Sequence, residues 1–384
     1  MKVSADLILP APDRATLFEI CSWDGFRPAT PSAAEFPVDV VRFSGSLSPP
    51  VVISRARRAE TLKALPATLR ERATGAFERA RRRPAHLPLA HGRRLDLGQG
   101  PALMGVVNVT PDSFSDGGLF FERGRAVERA LALFAEGAAV VDVGGESTRP
   151  SNYGEAQEIA VEEEMRRVIP VIEEVRRSTD LPISVDTRKA AVARAALEAG
   201  ADLVNDVSSF RFDPAMASVV AEKGAGAILM HMRGTDPRTM QQDTSYGHPI
   251  AEIAAELAQA LDRAAEAGIP EERIAVDPGL GFGKSPEGNL LLLRHLSALR
   301  SLGHALAVGA SRKGFVRKFS GVGEDSSAAD RLAGSLACLE AAAEGGAAII
   351  RVHDVGDSSR FLRMLAALRT PVLAPARPAG AAAR

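Results

Sequence analysis

The feature that most constrains the fold is a series of eight short apolar runs, each followed by polar residues and a segment with helical spacing. The runs are Ala102–Val109, Ala138–Val143, Pro182–Val185, Leu203–Val207, Ala225–Met230, Ile274–Val276, Ala305–Val308 and Ala347–Val352. Because they are continuously apolar rather than alternating, they predict strands buried on both faces, as in a parallel sheet covered by helices. The clearest amphipathic segments between them are Gly124–Ala135, Val161–Arg177, Ala190–Ala199, Ile250–Ala267 and Asp330–Ala343.

Eight strand–helix units within residues 98–370 match the size of a (β/α)8 TIM barrel, which places the chain in the α/β class. An open doubly wound sheet is the alternative fold that this pattern leaves open. Residues 1–97 form an N-terminal extension of unknown role, in which Arg81-Arg82-Arg83 predicts a solvated helix end rather than a phosphate-binding patch. We expect residues 371–384, rich in proline and alanine, to be a disordered tail.

The charge and cysteine counts exclude several classes of protein. Lys plus Arg number 47 against 48 Asp plus Glu, so a general basic surface for nucleic acid is not expected. Two cysteines, Cys21 and Cys338, are too few for a disulfide framework and fit a reducing compartment. No apolar run reaches the roughly 18 residues that span a bilayer, and Met1–Pro10 does not resemble a signal peptide. We therefore expect a cytoplasmic protein without a membrane partner.

Polar side chains follow every one of the eight predicted strands. In chain order they are Asn108, Glu146 to Arg149, Asp186, Asn205 with Asp206, Met230 to Met232, Asp277, Ser311 to Lys313, and Arg351 to Asp354. In a barrel of this kind the carboxyl ends of the strands form the active site. A purely structural barrel would need some of these groups as caps and loop anchors, but not all eight. The pattern therefore predicts an enzyme.

One set of these groups suits a flat heterocycle that carries several N–H donors. Asp186, Asn205 and Asp277 offer acceptors or an amide, and a carboxylate that faces an amino–N–C–N–H edge makes paired, charge-assisted hydrogen bonds. Any single one of the three could instead cap a helix or a turn.

A second set suits a polyanion, and its members are Asn108, Arg149, Arg351 and His353. Arginine presents a planar fork to phosphate oxygens, and histidine donates a further hydrogen bond. A surface ion pair would explain one arginine alone, but their joint position at one rim favours a phosphate-bearing ligand.

Two other patterns in the sequence do not match the ligand-binding motifs that they resemble. The run Gly279–Ser285 ends like a Walker phosphate loop, but Pro278 stands where that motif needs glycine, and the dinucleotide fingerprint does not fit either. We expect these glycines to let the backbone pass close to a flat ligand. His231 and His353 follow different strands, without paired cysteines or a His-x-x-x-His spacing, so no zinc site is predicted.

Together, the strand-end motifs resemble those of the dihydropteroate synthase family. Residues Met104–Gly118 resemble its first signature, and Gly144–Pro150 resemble its second. The others follow in the order of the family: Ser184–Thr187, Asn205–Val207, Met230–Met232, Asp277–Lys284, Ser311–Lys313 and Arg351–Asp354. The resemblance spans residues 103–370 and rests on eight motifs, so it is highly specific.

The resemblance implies a homodimeric TIM barrel that acts in folate synthesis, depends on Mg2+ and is a target of sulfonamides. Such an enzyme joins 4-aminobenzoate to (7,8-dihydropterin-6-yl)methyl diphosphate, which gives 7,8-dihydropteroate and diphosphate. The pterin would be bound by Asp186, Asn205, Met230, Asp277 and Lys313. The diphosphate would be bound by Asn108, Arg149, Arg351 and His353, with Asn108 also a ligand of Mg2+. The aminobenzoate would lie against Thr148, Pro150, Phe282 and Ser311.

The same residues indicate a mechanism. Loss of diphosphate requires stabilisation of negative charge, which Arg149, Arg351, His353 and Mg2+ would supply, while Asp186 and Asp277 would stabilise the cationic carbon left behind. The substitution is therefore expected to be SN1-like, with catalytic roles for Asp186, Asp277, Lys313, Arg351 and His353. The aniline nitrogen then attacks without a strong general base.

Two departures and two rivals remain. The segment Ser151–Ala160 is longer than the second loop usual in the family, and no glycine follows Pro150. This loop contributes to the aminobenzoate side of the site, so the departure concerns the binding of aminobenzoate and sulfonamides more than that of the pterin. The extension 1–97 is not needed by a barrel and could be a partner-binding or dimer-stabilising module, or a loosely folded appendage. The first alternative function is a pterin-binding methyltransferase that transfers a methyl group to a corrinoid protein, but such an enzyme has no use for the polyanion set Asn108, Arg149, Arg351 and His353. The second is a non-catalytic pterin-binding relative, which is disfavoured because no motif residue is lost.

Overall fold

The computed structural model describes residues 63, 67–109, 119–146, 158–234, 236–247, 249–327 and 329–369, together with the backbone of four short strands nearer the N-terminus. Among the predicted site residues, Thr148, Arg149 and Pro150 lie outside the described residues, as do most of the long segment after them and the predicted tail.

The N-terminal part contains strands, one helix and a hairpin. Its strands are β1 (Leu7–Leu9), β2 (Phe18–Ser22), β3 (Val38–Phe43) and β4 (Val51–Ser54), which pair antiparallel in that order. Helix α1 (Ala67–Arg81) follows, and then β5 (His86–Pro88) pairs antiparallel with β6 (Arg94–Asp96).

Eight parallel strands close into a barrel, which confirms the predicted fold and excludes the open sheet. They are β7 (Ala102–Asn108), β8 (Val140–Gly144), β9 (Ile183–Asp186), β10 (Leu203–Asp206), β11 (Gly226–Met230), β12 (Ile274–Asp277), β13 (Ala305–Val308) and β14 (Ile349–Val352). Each lies within about two residues of its predicted run. The ring closes where β14 pairs with β7.

Helices surround the barrel and cover its outer face. They are α2 (Leu119–Glu136), α3 (Val161–Ser178), α4 (Ala190–Glu198), α5 (Met216–Lys223), α6 (Pro249–Glu266), α7 (Pro286–Arg294), α8 (Gly314–Ser320), α9 (Leu332–Glu344) and α10 (Val355–Arg369). On α3, Val168, Val171, Ile172 and Val175 are fully buried, and their spacing places them on the one face that packs against the strands. Within the described residues, no helix is both long and apolar enough to cross a membrane.

The β5–β6 hairpin closes the N-terminal end of the barrel. Its buried leucines pack with the innermost strand residues, and these leucines are Leu87, Leu89, Leu95 and Leu97. Arg93 donates to Asp202 at 3.1 Å, and the Nε2 of His91 lies 3.2 Å from the carbonyl oxygens of both Leu197 and Ala201. The hairpin, which lies within the predicted extension 1–97, thus packs against the barrel.

Candidate active site

The strand register brings several predicted site residues to one level at the carboxyl mouth of the barrel. Asn108 pairs with Gly144, Gly144 pairs with Asp186, and Asp186 pairs with Asn205 on the next strand. Met230 and Asp277 are neighbours in the same way on β11 and β12. Parallel pairing therefore gathers side chains that are separated by up to about 170 residues in the sequence.

Arg351 bridges two carboxylates, Asp142 and Asp186, at the base of this mouth, which we call the floor of the site. Its Nε donates to Oδ2 of Asp142 at 2.6 Å, and its Nη2 donates to Oδ2 of Asp186 at 2.9 Å. The amide Nδ2 of Asn205 donates to the same Oδ2 of Asp142 at 3.0 Å. Asp142 is completely buried, and its Oδ1 has no hydrogen-bond partner within the described residues. An acidic and amide-lined floor with one fixed guanidinium results.

The environment of Asp186 shifts its protonation into the physiological range. Burial, and after it the negative charge of Asp142, raise the pKa of Asp186 to about 7, while the Arg351 cation opposes both effects. At neutral pH this carboxyl can therefore accept hydrogen bonds as an anion or donate one as an acid.

Asp277 and Lys313 form the opposite side of the floor. The Oδ1 of Asp277 accepts from the Gly279 amide at 2.7 Å, and burial raises the pKa of Asp277 while the Lys313 cation opposes that rise. Burial lowers the pKa of Lys313 to about 8, and Asp277 opposes that shift. The Lys313 ammonium donates to the Leu280 carbonyl and lies 4.9 Å from the centroid of the Phe282 ring.

His353 and Ser311 meet at the rim. The Nδ1 of His353 lies 3.1 Å from Oγ of Ser311, and the same hydroxyl lies 3.3 Å from the His353 amide. The neighbouring Arg312 adopts a positive φ of 61° and donates to Asp354 at 3.0 Å. A histidine assigned to the diphosphate and a serine assigned to aminobenzoate are thus direct neighbours.

Two glycines of the loop after β12, Gly279 and Gly283, lie tightly against the neighbouring loop after β11. At Gly279, with φ of 65°, an added Cβ would overlap with the carbonyl oxygen of His231, and at Gly283, with φ of 67°, it would overlap with the side chain of Arg233. The expectation that these glycines let the backbone pass close to a flat ligand stays a prediction, and the structure shows a further requirement for them, because the close neighbours are atoms of the loop after β11. They are required for two loops to pack together.

A buried ion network that sequence reasoning missed fixes the start of the loop after β8. Lys189 donates to Glu164 at 2.7 Å and also to Glu146, and Arg188 donates to Glu146 at 2.9 Å. Both cations are almost fully buried. Since Arg188 and Lys189 lie in the short loop between β9 and α4, and Glu146 follows β8, the network ties two neighbouring strand ends together.

A second buried cluster lies behind Met230. The Lys284 ammonium lies 2.8 Å from Nδ1 of His231, and the Nε2 of that ring lies 3.2 Å from Oε2 of Glu256. Burial, and after it the Lys284 cation, lower the pKa of His231 to about 4, while Glu256 opposes that shift. Burial also lowers the pKa of Lys284 well below its usual value, although Asp277 opposes that shift. No local pattern in the sequence indicates the contact between Lys284 and His231, because these residues lie on different loops.

The described residues contain no cluster of three or more His, Cys, Asp or Glu side chains that could bind a metal by itself. Asn108, half-buried at the end of β7, offers one amide oxygen at the mouth of the barrel. Such a position suits a cation that takes most of its ligands from water and phosphate oxygens, as Mg2+ does.

Comparisons with known proteins agree with this geometry. The sequence model of a family described as "Pterin binding enzyme" matches residues 104–353. A dihydropteroate synthase of Synechocystis sp. is 43% identical over 282 residues, which cover 73% of this chain and 95% of that protein. The structure of Xanthomonas albilineans dihydropteroate synthase with 4-aminobenzoic acid is 41% identical, has a TM-score of 0.68, and matches over 75% of this chain and 100% of that one. A sulfonamide drug complex of Yersinia pestis dihydropteroate synthase is 40% identical, with a TM-score of 0.68 over 74% of this chain and 99% of that one.

Proposed function

The chain belongs to the dihydropteroate synthase family of pterin-binding transferases, and from this membership we propose that it condenses (7,8-dihydropterin-6-yl)methyl diphosphate with 4-aminobenzoate. The products are 7,8-dihydropteroate and diphosphate, a step of folate biosynthesis. One observation carries the proposal for this chain: Arg351 contacts Asp186 at the mouth of a barrel whose floor also holds Asn205, Asp277 and Lys313.

The pterin ring binds to the acidic floor. Asp186 and Asp277 accept from the N–H donors of the ring, Asn205 adds an amide, and Met230 packs against a ring face. Burial lowers the pKa of Lys313 to about 8, so its ammonium group gives up a proton more readily than that of an exposed lysine. This ammonium group can donate hydrogen bonds to the acceptors of the ring. These roles are supported by burial, since Asn205, Met230 and Asp277 are all less than one-tenth exposed.

The diphosphate binds at the rim beside Arg351 and His353, together with Asn108 and Arg149. As the C–O bond breaks, negative charge grows on the leaving group, and the guanidinium of Arg351 stabilises it where water is scarce. The anionic Asp186 and Asp277 stabilise the cationic methylene carbon. The loss of diphosphate is therefore SN1-like, and the aniline nitrogen attacks the cation that remains.

A magnesium ion fits the diphosphate side of this site. The amide oxygen of Asn108 would bind it together with diphosphate oxygens, which suits the preference of Mg2+ for few protein ligands. Bound there, the ion would neutralise charge on the leaving group. Residues of the chain do the rest: they orient the pterin, exclude water and position the rim.

The aminobenzoate lies at the outer rim, against Phe282 and Ser311, with Thr148 and Pro150 completing the pocket. The Phe282 ring lies beneath the Lys313 ammonium, which supports a pocket that joins the pterin floor. A sulfonamide would compete with aminobenzoate for this place.

The proposal includes a homodimer in the cytoplasm. Phe319 on α8 and Met364 and Leu368 on α10 are large apolar side chains that are exposed, and burial against a second copy would remove them from water. The presence of only two cysteines supports a reducing compartment. Light scattering tests the dimer, and a monomeric mass at micromolar concentration would contradict it.

The reaction is tested by incubation of the full chain with the pterin diphosphate, labelled 4-aminobenzoate and Mg2+. The expected result is labelled dihydropteroate, with release of one diphosphate for each product. Binding of the pterin without product would instead favour a non-catalytic pterin-binding protein. Methyl transfer to a corrinoid acceptor would favour the methyltransferase alternative.

A further inference from the structure

Asp142 lies beneath the residues that the proposed function assigns to the ligands. Its neighbour two positions earlier on β8, Val140, packs inside the barrel with the hairpin leucines, and alternate strand residues face the same side. Asp142 therefore points into the barrel interior, and its single Oδ2 accepts from both Arg351 and Asn205.

We infer that Asp142 is a positioning residue for the transferase reaction, which fixes the Arg351 guanidinium toward the leaving group and the Asn205 amide toward the pterin. The inference rests on the proposed function, because that function supplies the roles of Arg351 and Asn205. Asp142 need not touch either substrate. It acts through two side chains that do.

The effect on Asn205 follows from the chemistry of the contact. A carboxylate can only accept, so the amide of Asn205 must turn its NH2 group toward Asp142. Its carbonyl oxygen then forms the other end of the side chain and can accept from an N–H of the pterin. Without Asp142 the amide loses the partner that selects between its two orientations.

The effect on Arg351 is one of direction. Asp142 takes Nε and Asp186 takes Nη2, and two contacts at different nitrogens define the plane of the guanidinium. These contacts leave Nη1 for phosphate oxygens. A guanidinium already fixed in this way loses less conformational entropy when the transition state forms.

Asp142 also sets the charge on Asp186. The largest electrostatic effects on Asp186 come from Asp142 on β8, Arg351 on β14, Glu164 on α3 and Asp206 on β10, and among these four Arg351 alone favours the anion. The Lys313 ammonium, which also interacts with Asp186, favours the anion as well. Neutralising Asp142 therefore lowers the pKa of Asp186 below its value of about 7. Because the anionic form binds the pterin edge, activity should then persist to lower pH.

The test compares Asp142→Asn and Asp142→Ala with a matched control, Asp202→Asn. Asp202 is likewise buried and accepts from Arg93 and Arg176, but it lies at the opposite end of the barrel. For each full-length protein we would measure kcat/KM for the pterin diphosphate against pH, KM for aminobenzoate, the Kd of 6-hydroxymethylpterin, and Tm.

For D142N we expect a 10- to 100-fold fall in kcat/KM for the pterin diphosphate, about the contribution of hydrogen bonds to charged groups. The acid limb of the profile should move to lower pH, and KM for aminobenzoate should stay within about twofold. D142A should in addition weaken binding of 6-hydroxymethylpterin, because Asn205 loses its only described acceptor. D202N should lower Tm without moving the acid limb.

Unchanged kcat/KM and an unmoved acid limb in D142N would overturn the role of Asp142. So would a fall in every parameter that matches the effect of D202N, since that indicates general destabilisation. A wild-type protein that makes no dihydropteroate would instead refute the proposed function itself, so the two failures are distinguishable.

Discussion

Replacement of Arg351 by alanine tests the candidate site most directly, because this one side chain joins two carboxylates of the floor, Asp142 and Asp186. The wild-type side chain makes two charge-assisted hydrogen bonds, of 2.6 Å to Asp142 and 2.9 Å to Asp186. Loss of a comparable preorganised donor to a developing charge costs about 10²–10³ in kcat. We therefore expect Arg351→Ala to lower turnover by at least that range while the pterin still binds.

Two further consequences of the same substitution can be derived from the structure. Removal of one partner from a buried ion pair costs about 3–5 kcal/mol, and the lower end is expected here because Arg351 is 25% exposed at its side chain. The Arg351 cation lowers the pKa of Asp186, so its loss raises that pKa above about 7. The acid limb of kcat/KM should then move to higher pH, opposite to its movement in D142N.

Single-turnover formation of labelled dihydropteroate, measured from pH 5.5 to 8.5, separates these effects. Calorimetric unfolding of the same samples gives the change in stability. The conservative Arg351→Lys keeps the charge but cannot contact both carboxylates through a fork, so it should recover the pH profile better than the rate. Turnover of Arg351→Ala within a few-fold of wild type would refute the assignment of Arg351 to the leaving group.

Three further predictions concern the framework of the site. Burial lowers the pKa of His231 from 6.5 to about 4, so this side chain binds a proton more readily in the unfolded chain than in the folded one. The free energy of unfolding should therefore fall by up to about 3 kcal/mol as the pH drops from 6.5 to 4. His231→Gln should reduce this pH dependence in denaturant titrations. Gly279→Ala should lower Tm and pterin affinity together, because φ is 65° and the new Cβ meets a backbone carbonyl; normal binding with normal Tm would contradict that packing. A chain that begins at Arg83 should fold and catalyse the reaction, whereas one that begins at Gly98 should be insoluble or have a lower Tm, because it lacks the leucines of the hairpin. Circular dichroism can measure both Tm values, and equal values would contradict the role of the hairpin in closing the barrel.

The barrel could be predicted from sequence because its strands are buried on both faces, which leaves a continuous apolar run for each. The strand-end residues could be predicted for a related reason: alternation of strand and helix places every such end at one rim. Asp186, Asn205 and Asp277 do lie together on the floor. Their roles toward substrate stay predictions until the kinetic tests are made.

Other features carry no such local signal. Asp142 stands inside an apolar run, and a charged residue there is a clue to a buried partner, but only the register and the ring closure identify that partner as Arg351. The strands β5 and β6 are three residues long, with a single central leucine each, which is too short a pattern to mark a strand. The packing of Gly279 against His231 depends on how two loops meet, which no spacing in the sequence expresses.

The leucines of the β5–β6 hairpin have a consequence for the electrostatics at the far end of the barrel. They cover the interior layer that contains Met104 and Val140, and Asp142 lies only two residues beyond Val140 on the same strand. A charge there has hydrocarbon below it instead of water, and the attraction between opposite charges grows as the local dielectric constant falls. The hairpin, which supplies no residue to the candidate site, thereby strengthens the attraction between Asp142 and Arg351 by keeping water from the barrel interior beneath them.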